Sequence, residues 1–162
     1  MTVHEEVERI YAAERQNIYA YLLHLGVAAP RAQELAQDAF LKLYLKMSER
    51  ETIENPRAWL YRVSHNLALR IHERELVFDD LDPNSNVPES LADPERAVLD
   101  RERRATLARA IRGLSRQQRN CLHLRAQGLR YREIADVAGI SISAVGEFLR
   151  RAVVRLKEAI DG

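Results

Sequence analysis

At 162 residues, 46% hydrophobic and 30% charged, the chain is long enough for one globular domain or two small ones; its single cysteine, Cys121, excludes an internal disulfide and cannot alone make a metal site. No apolar run approaches the roughly 20 residues of a membrane span, and the opening MTVHEEVERIYAAE is too acidic and polar for a signal peptide, so a cytoplasmic location is expected. The net charge of +1 hides an asymmetry: residues 1–78 carry 10 basic and 11 acidic side chains, 79–98 carry 1 and 6, and 99–162 carry 14 and 7. A basic C-terminal third whose helices also keep an apolar stripe fits contact with nucleic-acid phosphates, where counterion release supplies much of the affinity.

Residues 3–25 read as a helix with Val7, Ile10, Tyr11, Ile18, Leu22 and Leu25 near one face, ended by Gly26 and Pro30. A second helix over 31–47 repeats Leu35, Ala39, Leu43 and Met47 at intervals of four and turns Glu34, Gln37, Asp38, Leu41 and Lys42 to the other side. SERETIENP, residues 48–56, has only Ile53 as an apolar residue and closes on Asn-Pro, which disfavours helix before the proline, so it reads as a loop. A third helix runs from Arg57 to about Phe78 with Leu60, Val63, Leu67 and Ile71 inward. Three helices with short joints make a first bundle.

Asp79 to Pro94, DDLDPNSNVPESLADP, has three prolines, no glycine and strong negative charge, the composition of a flexible linker, with an ordered acidic loop as the competing reading. Such a tether leaves the two halves free of each other. Residues 95–112 form a charged helix packing on Val98, Leu107, Ala108 and Ile111. Ser115 then caps a helix closed by Gly128.

GLRYREIADVAGISISAVGEFLRRAVVRLKEAI, from Gly128, has the pattern of a helix-turn-helix. Tyr131 to Ala138 is a short helix stopped by Gly139, the residue that most easily takes a left-handed turn, and Ser141 is placed to cap the next helix. In that helix Val145, Leu149, Ala152, Leu156 and Ile160 form an inner stripe, while Ser143, Glu147, Arg150, Arg151 and Val154 face outward, as a groove-reading helix requires. Helical hairpins with a glycine turn also occur in purely structural bundles; the basic charge of this third is what favours DNA.

No catalytic constellation accompanies these elements, and the chain is not expected to be an enzyme. His4, His24, His65, His72 and His123 are scattered without a metal-ligand spacing, His65 and His72 reading as polar surface residues. There is no glycine-rich phosphate loop and no serine nucleophile elbow.

Two stretches resemble one family. AQELAQDAFLKLYLKM with NPRAWLYRVSHNLALR is similar to the promoter-melting domain of bacterial RNA polymerase sigma factors of the extracytoplasmic-function group. LSRQQRNCLHLRAQGLRYREIADVAGISISAVGEFLRRAVVRLKEAI resembles their second DNA-binding domain. The resemblance implies an all-α protein of two small helical domains joined by an acidic linker, the second a helix-turn-helix: residues 1–78 for clamp docking and minus-ten recognition, 79–94 for the linker, 95–162 for minus-thirty-five binding.

It also implies roles for particular residues. Glu34, Gln37, Asp38 and Leu41 would dock on core polymerase, with Phe40 divided between that contact and the core. Trp59, Arg62, Asn66 and Arg70 would meet the minus-ten element, where an aromatic can stack on an unpaired base and arginine can hold phosphate, Trp59 being equally eligible for the core. The loop from Ser48 to Asn55 corresponds to a pocket for a flipped base. Arg130, Ser143, Glu147, Arg150, Arg151 and Arg155 would contact the upstream element. Where relatives commonly carry a lysine, a small polar residue and an arginine, this chain has Gly146, Glu147 and Phe148. Glu147 could accept from a cytosine amino group or only complement the positive end of its helix. No cofactor is implied; the partners are core polymerase, promoter DNA and an anti-sigma factor, and a polymerase-independent DNA-binding regulator is the rival class.

Overall fold

The structure, a computed structural model, describes residues 1–75 and 94–161, and among these every regular element is helical. The helices are α1 Val3–His24, α2 Ala29–Ser48, α3 Pro56–Glu75, α4 Pro94–Arg112, α5 Arg116–Ala126, α6 Tyr131–Ala138 and α7 Ile142–Asp161. None of them is long and apolar enough to cross a membrane. The expected linker, Pro94 apart, and the end of the third helix lie outside the described residues.

Local chemistry sets the helix starts. Thr2 and Glu5 form a capping box on α1, and Ser115 and Gln118 form another on α5. Pro30 stands in the first turn of α2, where its missing N–H leaves no bond unmade. The Asn55 side-chain oxygen accepts from the Ala58 N–H (3.2 Å) at the start of α3. Gly139 takes φ 69°, a left-handed turn, and the Ala144 N–H then donates to Ser141 Oγ (3.0 Å) to open α7. The sharp joint between α6 and α7 is thereby built by two neighbouring residues.

Helices α1, α2 and α3 pack around Ile18, Tyr21, Leu22, Leu35, Ala39, Leu43, Leu60, Tyr61 and Ile71. Phe40 is buried too, edge-on to Tyr11 at 5.0 Å, which assigns it to packing. Truncating a fully buried leucine such as Leu43 to alanine costs about 2–5 kcal/mol in sites of this kind. A half-buried ion pair, Arg57 Nε to Glu14 Oε1 at 2.9 Å, ties α3 to α1. In the second half, Cys121, Leu124, Ile134, Val137, Val145, Leu149 and Ala152 fill the space between α5, α6 and α7.

Buried residues of the two halves join in one hydrophobic cluster. Helix α6 lies on α3, and the α1 end meets α5 through His24, whose Nε2–H donates to Asn120 Oδ1 (2.9 Å). A ring cluster that amphipathic spacing does not display adds to this contact: Tyr21 lies 5.4 Å from His123, and His24 lies 4.4 Å from the same ring.

Other expectations are corrected by the same packing. His65 is buried and hydrogen-bonded through Nδ1 to the Tyr21 hydroxyl (2.7 Å), and His72 is half-buried with Nε2–H donating to the Leu25 carbonyl (2.6 Å); neither is a surface residue. Val98 and Leu107 on α4 are exposed because α4 is covered on only one side, by α7. Ile160 is exposed because the stripe of α7 is buried at Val145, Leu149 and Ala152 and thins from Leu156 outward.

Candidate nucleic-acid and polymerase interfaces

Helix α7 buries Val145, Leu149 and Ala152 and so presents Ser143, Glu147, Arg150 and Arg151 on the opposite side, with Gly146 half-exposed at its flank beside Tyr131. Glu147 is not bare. Its Oε1 accepts from Arg150 Nη2 (2.8 Å) and from Arg151 Nε (2.8 Å), and its Oε2 accepts from Arg150 Nε (3.3 Å). Hydrogen bonds from Arg150 and then Arg151 hold the Glu147 carboxyl below the ordinary carboxylate range and raise Arg150 in turn. Phe148 turns inward and packs against the core. Arg155 donates from Nη1 to the Gly113 carbonyl (2.7 Å), which ties one of its donors to the α4–α5 turn. Arg130 is exposed at the start of α6, its backbone N–H satisfied by Glu133 Oε1 (2.8 Å).

On α3, Arg62, Asn66 and Arg70 recur every fourth residue and are all exposed, so they form one polar row. Trp59 joins the row half-buried, its ring packed against the core. Trp59 and Arg62 also line a cleft of about 610 Å³ with Thr52, Ile53 and Asn55 of the α2–α3 loop on one side and Arg130, Arg132 and Glu133 of the helix-turn-helix on the other. Asn55 Nδ2 donates to Glu133 Oε2 across its mouth. Two groups of residues expected to meet different DNA elements therefore face each other, a juxtaposition with no trace in linear spacing.

On α2 the outward side carries Glu34, Gln37, Asp38 and Leu41, all exposed, and continues through the exposed Tyr44 and Leu45. Leu41 is 57% exposed and Leu45 52%, an acidic-to-apolar strip that the core does not use. Glu34 is paired with Arg31 at 3.0 Å.

The sequence reading missed the cluster between the halves. Burial pushes His65 down and pushes the Tyr21 hydroxyl up. Burial, then the neighbouring His24, lowers His123 to about 3, and its Nε2 is buried without a hydrogen-bond partner among the described residues. Only the helical spacing of Tyr21 and His24, one turn apart on the face that carries Ile18 and Leu22, could have pointed to it.

Fold and surface thus define a helical DNA-binding protein of two parts, with a further exposed strip along α2. The "Sigma-70 region 2" family description matches residues 10–75, and "Sigma-70, region 4" matches residues 104–156. The chain is 29% identical to RNA polymerase sigma factor YlaC of Bacillus subtilis, over 95% of this chain and 91% of that one. It is 31% identical to the RNA polymerase sigma-H factor of Pseudomonas aeruginosa, over 82% of this chain and 72% of that one. Its fold is similar to that of the sigma factor RpoE from Bartonella quintana, solved in complex with the anti-sigma factor NepR, with a TM-score of 0.66, 22% identity, and 97% and 98% of the two chains covered. The chain belongs to the sigma-70 family of RNA polymerase sigma factors, in its extracytoplasmic-function group.

Proposed function

We propose that this chain joins core RNA polymerase in the cytoplasm, directs it to promoters and holds the melted strand, acting by binding while the polymerase carries out the chemistry. Glu34, Gln37, Asp38 and Leu41 dock on the polymerase; Trp59, Arg62, Asn66 and Arg70 meet the minus-ten element; Arg130, Ser143, Glu147, Arg150, Arg151 and Arg155 serve the upstream element. Residues 1–78 and 95–162 are the corresponding working units, with 79–94 between them. The observation that carries this reading is the α2 strip, exposed, acidic at one end and apolar at the other, on the same chain as a helix-turn-helix. Acidic and amide groups there suit a basic partner, and the leucines add apolar area to the contact.

Trp59 and Arg130 line one cleft, so surfaces assigned to different promoter elements lie together in this arrangement. The packed arrangement is a resting form, and the halves separate when promoter is engaged. The Bartonella quintana relative was solved with an anti-sigma factor bound, and a protein of that class is the natural holder of this chain's resting form.

The test is co-elution with purified core polymerase and opening of promoter DNA followed by a fluorescent base in the minus-ten element. Asp38→Arg should abolish co-elution and leave helical content unchanged. Unaltered polymerase binding by this variant would sink the docking assignment of α2, and promoter binding by the wild type that needs no polymerase would return the protein to the regulator class.

A further inference from the structure

We infer that Glu147 is a positioning residue that fixes which edge of Arg151 faces the DNA, and that it does not itself read a base. This rests on the reading of α7 as the helix that enters the groove.

A carboxylate has about four acceptor positions, and three hydrogen bonds already fall on this one. A cytosine amino group would have to displace charge-assisted donors, which are about twice as strong as neutral ones. The two arginines are held differently. Arg150 gives both Nε and Nη2, so its side-on fork is closed by the carboxylate. Arg151 gives only Nε, which leaves its Nη1 and Nη2 pair open, the arrangement that matches O6 and N7 of guanine. Position supports the same division: on a helix Glu147 lies one turn before both arginines and between them, at i−3 to Arg150 and i−4 to Arg151.

The pairs are solvent-exposed, with Glu147 44% accessible, and exposed pairs add little to stability. Their effect is on orientation. Arg side chains carry large rotamer freedom, and a guanidinium already held in its reading pose loses less of it on binding. Ser143 on the same face and Gly146 at its flank are too small to hold either arginine.

The experiment uses holoenzyme assembled with wild-type chain, Arg151→Ala, Glu147→Ala, Glu147→Gln and the Glu147→Ala/Arg151→Ala double variant, selected on promoter DNA randomised in the upstream element. Arg151→Ala should weaken binding on the order of tenfold and erase the preference for guanine at one position. Glu147→Ala should blur the preference at that same position and weaken binding severalfold, Glu147→Gln should fall between, and the double variant should be no worse than Arg151→Ala alone. Thermal melting of all variants should coincide with wild type. If Glu147→Ala instead alters a different base and its effect adds to that of Arg151→Ala, Glu147 is a base reader and the inference is overturned. If Arg151→Ala matters and Glu147→Ala changes nothing, positioning fails while α7 keeps its role. If neither matters, the groove-reading assignment of α7 fails with it.

Discussion

Tyr21 and His65 are joined by a 2.7 Å hydrogen bond between the phenol and Nδ1, in the layer where the N-terminal bundle meets the C-terminal one. The His123 ring leans on Tyr21 and His24 from the opposite half. Both His65 and His123 are held below the ordinary histidine range, His123 at about 3, by burial and, for His123, by His24 as well. An opened or unfolded chain therefore binds more protons than the packed one, and stability rises with pH. The contribution is complete above the ordinary histidine value of about 6.5 and declines as pH falls from there toward 3. At pH 5 the packed form should have lost about 1–2 kcal/mol relative to pH 7.5. Trp59, the only tryptophan and half-buried beside the cleft, reports this by fluorescence during urea titration. His123→Leu should flatten the pH dependence, and an unchanged slope in that variant would assign the acid response elsewhere.

Asn55 has two partners. Its Oδ1 caps α3 at the Ala58 N–H and its Nδ2 donates to Glu133 of α6. Asn55→Asp keeps the capping oxygen and sets a carboxylate against a carboxylate, so it should loosen the cleft without fraying α3. Small-angle scattering should show a larger radius of gyration, with helical content unchanged. If the cleft holds the resting form closed, this variant should also bind core polymerase faster. A compact particle with wild-type scattering would mean that the ring cluster alone keeps the halves together.

Helix number, order and most inward positions were legible because they depend on local spacing and caps: Ser115, Gly139 and Ser141 do at their ends what their chemistry predicts. Spacing shows which face is apolar but not whether another element covers it, hence the error at Val98, Leu107 and Ile160. It also cannot show that a polar ring finds a partner on a neighbouring element, hence the error at His65, bonded to Tyr21, and at His72, bonded to the Leu25 carbonyl. For the surface, Glu147 was legible as an outward residue; its engagement by two arginines needed side-chain geometry.

Arg155 shows the same division. Its hydrogen bond to the Gly113 carbonyl links α7 to the turn before α5, forty-two positions away. Arg155→Ala should lower the stability of the second half by about 0.5–1.5 kcal/mol, read as a shift in urea midpoint. Promoter binding should weaken evenly across sequences if its remaining donors touch phosphate, leaving base preference intact. A change of preferred base would make it a reader.

Gly146 is the last residue whose presence the fold does not require. It lies within α7 in helical backbone, and a methyl group added there would meet Tyr131 Cε2 at 3.8 Å, an ordinary van der Waals contact. Glycine inside a helix is less stable than alanine by about 0.5–1 kcal/mol, so Gly146→Ala should raise the melting temperature by about 1–4 °C. What glycine offers in return is a shallow spot between Ser143, Glu147 and Arg150, where the helix backbone can approach the DNA closely. The variant should therefore be more stable and bind the upstream element severalfold more weakly in the holoenzyme, with binding to a pre-opened minus-ten template unaffected. Higher stability together with undiminished upstream binding would remove Gly146 from the DNA-facing surface and leave its presence in the helix without a physical reason.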